Sequence, residues 1–242
     1  MENAVATGVE SSRFRIVAAP LHTVVVLALL AVGDYLGAIR SGQLRAAASV
    51  DRVALYGRTI FLELLMLGVV LLGVWLHGEP FASVLGERWR SAREVLRDVG
   101  IALAFWVGST LVVSVLGGHQ HGGGTDRAVQ FLLPQTGAEN ILWVVLSITA
   151  GICEEAVYRG YLQRQFMALT KNVPAGILLP ALVFSAGHAY QGWAGAARIG
   201  AGGILLGILA HWRESVRPGM MAHAWGDAFA GVLARILRIR VG

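Results

Sequence analysis

About seven stretches of the chain are apolar over roughly 20 residues, the length an α-helix needs to cross a hydrocarbon core of about 30 Å. Lipid offers no partner to a free backbone N–H or C=O, so runs of this kind satisfy themselves as helices and pack against one another. The composition agrees: 55% of the residues are hydrophobic and 14% charged, and the mean hydropathy is +0.61, which excludes an ordinary cytosolic fold. The expected fold is all-α, a single polytopic transmembrane helical bundle of about seven spans with one interfacial amphipathic helix.

The spans divide into a variable N-terminal transmembrane region, residues 1–139, and a helical core, residues 140–237. The first region holds spans near 17–39, 53–76 and 99–116, and the polar start with Arg13 and Arg15 precedes an apolar run too long for a signal-peptide core, so the first helix is expected to stay uncleaved. Asp34 and Glu63, one in each of the first two spans, read as structural: Asp34 lies near a helix end, and Glu63 is within reach of Arg58 or a neighbouring helix. Over residues 81–98, Phe81, Val84, Leu85, Trp89, Leu96 and Val99 recur at helical spacing, with Arg88, Arg90, Arg93 and Arg97 on other faces. That pattern predicts an interfacial helix lying on anionic lipid. The Gly-rich loop at 117–139 carries His119 and His121 beside three consecutive glycines, a pattern of an exposed turn more than of a metal site.

The core reads as spans near 140–166, 174–190, 198–212 and 218–237. Pro174 and Pro218 suit first helical turns, Pro180 predicts a kink, and the Gly203 to Gly207 spacing permits close helix contact. The net charge of +5 comes from 19 arginines and one lysine scattered through loops and helix ends. No basic block marks a nucleic-acid partner, and lipid headgroups account for the charges. The excess of Arg over Lys suggests a GC-rich bacterial genome, while the basic residues divide almost evenly between the two sides, which leaves the orientation open with a lean to a cytoplasmic amino terminus. Cys153 stands alone, so no intrachain disulfide forms.

In the fourth span Glu154, Glu155 and Arg159 interrupt a run otherwise suited to hydrocarbon. An ionised residue at the centre of a span costs about 2.5 to 3.5 kcal/mol, so these groups need partners or a wet cavity. Glu155 and Arg159 share a helix face and form a natural ion pair, while Glu154 points about 100° away and stays available. Phe184 and His188 repeat the four-residue spacing in the fifth span, and His223 and Asp227 repeat it in the seventh. Each pair alone is explained by a satisfied core histidine, but polar groups on three spans at compatible depths are economical only if they converge on a hydrated pocket. There carboxylate and imidazole hold and deprotonate a water or bind a divalent metal.

The Glu154-Glu155-x-x-x-Arg159, Phe184-x-x-x-His188 and His223-x-x-x-Asp227 elements, in this order on hydrophobic helices, resemble the three motifs of the CAAX-processing and bacteriocin-processing family of intramembrane metalloproteases. The likeness covers about residues 142–231, with Asp227 where many relatives carry Asn. It implies hydrolysis of a peptide bond in a membrane-associated peptide or protein by a multi-pass enzyme of the cell membrane. Glu154 would activate water with His188, and His223 and Asp227 would bind metal or stabilise the oxyanion. Glu155 and Arg159 would orient Glu154, and Phe184 would pack against His188. The resemblance also implies Zn²⁺ or another divalent metal held by Glu154, His188, His223 and Asp227, although the same residues suit a metal-free acid–base site.

No His-Glu-x-x-His helix is present, Ser109 and Ser185 lack a nucleophile's glycine pattern, and the acids beside Cys153 disfavour a thiolate. Two other classes use the same residues: a proton- or cation-coupled transporter, and a non-catalytic immunity or scaffold protein of the membrane.

Overall fold

The computed structural model describes residues 14–116 and 130–241. His119, His121 and the Gly-rich loop as far as residue 129 lie outside the described residues. Everything regular among them is helical: α1 (Pro20–Ala46), α2 (Arg52–Leu76), α3 (Ala82–Leu85), α4 (Ala92–Leu116), α5 (Gly137–Thr170), α6 (Val173–Gly187), α7 (Trp193–Arg213) and α8 (Arg217–Val241). Five of these, α1, α2, α4, α5 and α7, are long and apolar enough to cross a membrane. The expectation of about seven spans is therefore corrected. At 15 residues α6 reaches only about 22 Å, short of a hydrocarbon core, and α8 carries Arg217, Asp227, Arg235, Arg238 and Arg240 along its length.

The interfacial helix expected over 81–98 is also corrected. Gly86 adopts φ +84° and ends α3 after four residues, and the chain stays non-helical until α4 begins at Ala92. Trp89 is not laid on lipid by a helix face. Its indole N–H donates to Asp98 at 2.9 Å, and the Arg217 guanidinium lies 4.3 Å from its ring centroid. Asp98 also accepts from Arg213 at 3.0 Å, which fastens α4 to α7. The apolar spacing across 81–98 was a coincidence of two short segments joined by a turn that only glycine adopts without strain.

The centre of the bundle is α5, which is buried on all sides from Glu155 to Gln163. A Thr136/Glu139 capping box starts it. Residues Glu155–Leu162 then widen into a π-helical stretch, all eight of them buried, a departure from α geometry that proteins place at functional sites. Close neighbours depend on glycines here. A Cβ on Gly151 would stand 2.6 Å from the Met220 carbonyl oxygen of α8, and one on Gly160 would strike the Val84 carbonyl of α3. Gly160→Ala is accordingly expected to cost about 1 to 3 kcal/mol through overpacking, read as a lowered unfolding midpoint in detergent.

Polar groups inside the bundle are satisfied over long sequence distances. Gln165, fully buried, accepts from the Val17 and Ala18 amides at 2.7 and 3.3 Å and donates to Ala18 O and Thr23 Oγ1 at 3.0 and 2.7 Å. Those bonds hold the two residues that lead into the N-cap of α1 at Ala19, and Thr23 of its first turn. Arg159 donates to Gly203 O at 3.2 Å, and Gln163 donates to Gly207 O at 2.9 Å. The glycine spacing on α7 thus admits polar side chains of α5 to the α7 backbone, beyond the close packing read from the sequence.

Candidate active site

The turn from α to π geometry falls between Glu154 and Glu155, and the two carboxylates part ways there. Glu155 turns inward and is fully buried. Its Oε1 accepts from Arg159 Nη1 at 2.7 Å and from His223 Nδ1 at 2.9 Å. The expected Glu155–Arg159 pair therefore forms, and α8 supplies a third member. With Nδ1–H directed at Glu155, the His223 ring is fixed in orientation and presents Nε2 to the other side.

That Nε2 faces both remaining acids, Glu154 Oε2 at 3.5 Å and Asp227 Oδ2 at 3.6 Å. The side chains of Glu154 and Asp227 are 23% and 47% exposed against 1% for Glu155, so water reaches the first two and not the third. Both separations exceed a direct hydrogen bond and leave room for tightening when substrate or water is bound.

His188 stands at the C-cap of α6, immediately past the helix end and not inside a span as expected. Its Nδ1 lies 2.8 Å from Phe184 O; a carbonyl only accepts, so Nδ1 donates this bond and Nε2 is the ring nitrogen left uncommitted. The Phe184 ring lies 4.7 Å from the His188 ring, 6.1 Å from the His223 ring and 4.8 Å from the Arg159 guanidinium. One buried aromatic thus wedges all three groups. His188 also lies within electrostatic range of Glu154.

Residues 136–229, which contain all of these groups, match the family model described as Type II CAAX prenyl endopeptidase Rce1-like. Residues 136–229 are thus similar to an Rce1-like domain. No curated protein and no solved structure matches the chain. Rce1-like domains are CAAX-type intramembrane endopeptidases, hydrolases of peptide bonds, and the five membrane-length helices make this one part of a multi-pass membrane protein.

Two carboxylates from outside the Rce1-like domain reach its site, and sequence reasoning had set both aside as structural. Glu63 of α2 lies within electrostatic range of Glu154, Asp227 and His223, and its buried Oε2 has no hydrogen-bond partner among the described residues. Asp34 of α1 lies against Gly187, where a Cβ would come 2.8 Å from its Oδ1, and its charge interacts with His188. The only signal available for them was the cost of an acid in an apolar span.

Among the described residues no three His, Cys, Asp or Glu side chains are gathered so as to hold a metal ion. Glu154 and Asp227 approach His223 Nε2 at 3.5 and 3.6 Å, and with His188 these are the residues that would hold a divalent metal under the resemblance. His223 commits Nδ1 to Glu155 and His188 commits Nδ1 to a carbonyl, leaving one nitrogen on each ring for chemistry.

Beside His223 and Asp227 a cavity of about 480 Å³ lies between α4, α7 and α8, with Trp106, Arg198 and Gly202 in its lining. It is of a size that holds a short segment of peptide.

Proposed function

We propose that the chain hydrolyses a peptide bond of a membrane-associated peptide or protein, with a water activated by Glu154 and without a resident metal. The observation that carries this reading is the meeting of Glu154 and Asp227 at His223 Nε2 while Glu155 grips His223 Nδ1. Glu154, the more accessible of the adjacent glutamates, removes a proton from water that the His188 Nε2 lone pair helps to hold. The hydroxide adds to the scissile carbonyl. His223, cationic among three carboxylates, donates from Nε2 to the oxyanion, an interaction worth about 10²- to 10³-fold in rate where such donors have been removed. The C–N bond then breaks as Glu154 returns the proton to the leaving amine.

Asp227 turns His223 Nε2 toward the oxyanion position, and Glu155 with Arg159 fixes its other nitrogen. Hydrolysis takes place within the bilayer of a bacterial cell membrane, the setting that the arginine-rich composition favours. Substrate reaches the site through the cavity between α4, α7 and α8.

The test compares peptide ends in membranes of cells carrying the wild type or Glu154→Ala, each with and without a strong divalent-metal chelator. A set of ends present only with the wild type, and unchanged by the chelator, is expected. Identical end maps for the two strains would remove the endopeptidase reading; ends that vanish with the chelator would remove its metal-free form.

A further inference from the structure

We infer that Arg198 of α7 is the anchor for a substrate carboxylate in the cavity beside His223, an assignment that rests on the endopeptidase reading above. Every other buried or half-buried arginine among the described residues has a partner. Arg52 donates to Val50 O, Arg159 to Glu155, Arg164 to Ser83 O, Arg213 to Asp98 and Arg217 to Gly86 O. Arg198 is half-buried on a membrane-length helix and, among the described residues, has no hydrogen bond, ion pair or ring contact.

A guanidinium in that position is costly unless an anion meets it. The backbone around it leaves the space for one. Gly195 and Gly202 line the same cavity three residues before and four after Arg198, on one helical face, and a Cβ on Gly202 would meet nothing within 4 Å. The guanidinium fork matches a carboxylate with two parallel hydrogen bonds, a geometry that a point charge does not reproduce.

Which anion is settled by what else lines the space. The cavity is continuous from Arg198 to His223 and Asp227, with an apolar wall of Phe105, Trp106 and Leu206 and uncharged polar groups at Ser109, Thr110 and Gln191, so among the described residues Arg198 is the one guanidinium or ammonium in its lining. A molecule held there by its carboxylate presents its neighbouring bonds to the catalytic side chains. At about 480 Å³ the space holds only a short segment. The carboxylate therefore belongs to a residue close in sequence to the scissile bond, either as a chain-terminal α-carboxylate or as an Asp or Glu side chain. A lipid phosphate has the same charge but gives Arg198 no connection with cleavage.

The test uses three apolar, internally quenched peptides: one with a free terminal carboxylate, its amide, and the amide carrying one Glu near that end. Binding is measured to full-length Glu154→Gln protein in uncharged detergent, alone and combined with Arg198→Gln or Arg198→Lys; cleavage is measured with the matching Glu154 proteins. Arg198→Gln is expected to weaken binding of a carboxylate-bearing peptide by about tenfold to a hundredfold and to raise KM more than it lowers kcat. It should leave the uncharged amide unaffected, and Arg198→Lys should recover part of the loss. Whether the terminal or the side-chain carboxylate shows the effect identifies its source. Equal loss for charged and uncharged peptides, no binding of any of them, or an Arg198 effect seen only with anionic lipid would overturn the assignment. Carboxylate-dependent binding without any cleavage would uphold the anchor and count against the endopeptidase reading alone.

Discussion

Glu154→Gln, which keeps the shape of the side chain and removes its basicity, is expected to lower turnover of a peptide substrate about a thousandfold. Substrate binding and the unfolding midpoint should stay near those of the wild type. The size of the effect follows from the division of labour between adjacent carboxylates. Glu155 is engaged by Arg159 and His223 and sealed from water, so it cannot take over the role of base. Asp227 is the other exposed acid at His223 Nε2, but it approaches from the next turn of His223's own helix and not from α5, which carries the proposed base. Kinetics of the purified variant in detergent decide the matter, and turnover within tenfold of wild type would assign the base elsewhere.

Arg159→Met should unfold far more readily than the wild type. The substitution removes one of the two partners of the fully buried Glu155 and leaves only His223 on its Oε1, and breaking a buried ion pair from one side costs about 3 to 5 kcal/mol. Arg159 also donates to Gly203 O, and that bond is lost as well. The double variant Glu155→Met/Arg159→Met removes both charges and is expected to return close to wild-type stability, since apolar residues of similar volume replace buried ion pairs at little cost. Its activity should nevertheless remain about ten- to a hundredfold low, because His223 has lost the carboxylate that orients it. Equilibrium unfolding in mixed micelles, run beside cleavage assays, separates the two effects. A stable single variant would mean that the pair is hydrated; a fully active double variant would mean that His223 is held by something other than Glu155.

Where local spacing carried the information, the sequence was readable. Glu155 with Arg159 and His223 with Asp227 are each four residues apart, and helical geometry alone brings such side chains to one face. The cost of charge in lipid then argued that the helices bearing them converge, and Glu154 lies 3.5 Å from His223. Contacts between helices distant in sequence left no such trace. Nothing near Glu63 indicates Glu154 as its neighbour, and nothing near Gln165 indicates that it completes the start of α1. The π-helical stretch at Glu155–Leu162 has no marker in composition. Apolar periodicity misled where Gly86 breaks the chain, because a helical pattern persists in the letters across a turn that the backbone makes at positive φ.

The two hydrogen bonds from α5 to α7, Arg159 to Gly203 O and Gln163 to Gly207 O, each span 44 residues. They close one loop of chain twice in the same register, and α6 with His188 lies wholly inside it. Turning α7 about its axis would break both fastenings together, so the placement of His188 is inherited from a clasp made outside its own helix. Any insertion within α7 between Gly203 and Gly207 would undo the clasp's alignment and unseat His188 without altering a residue near it.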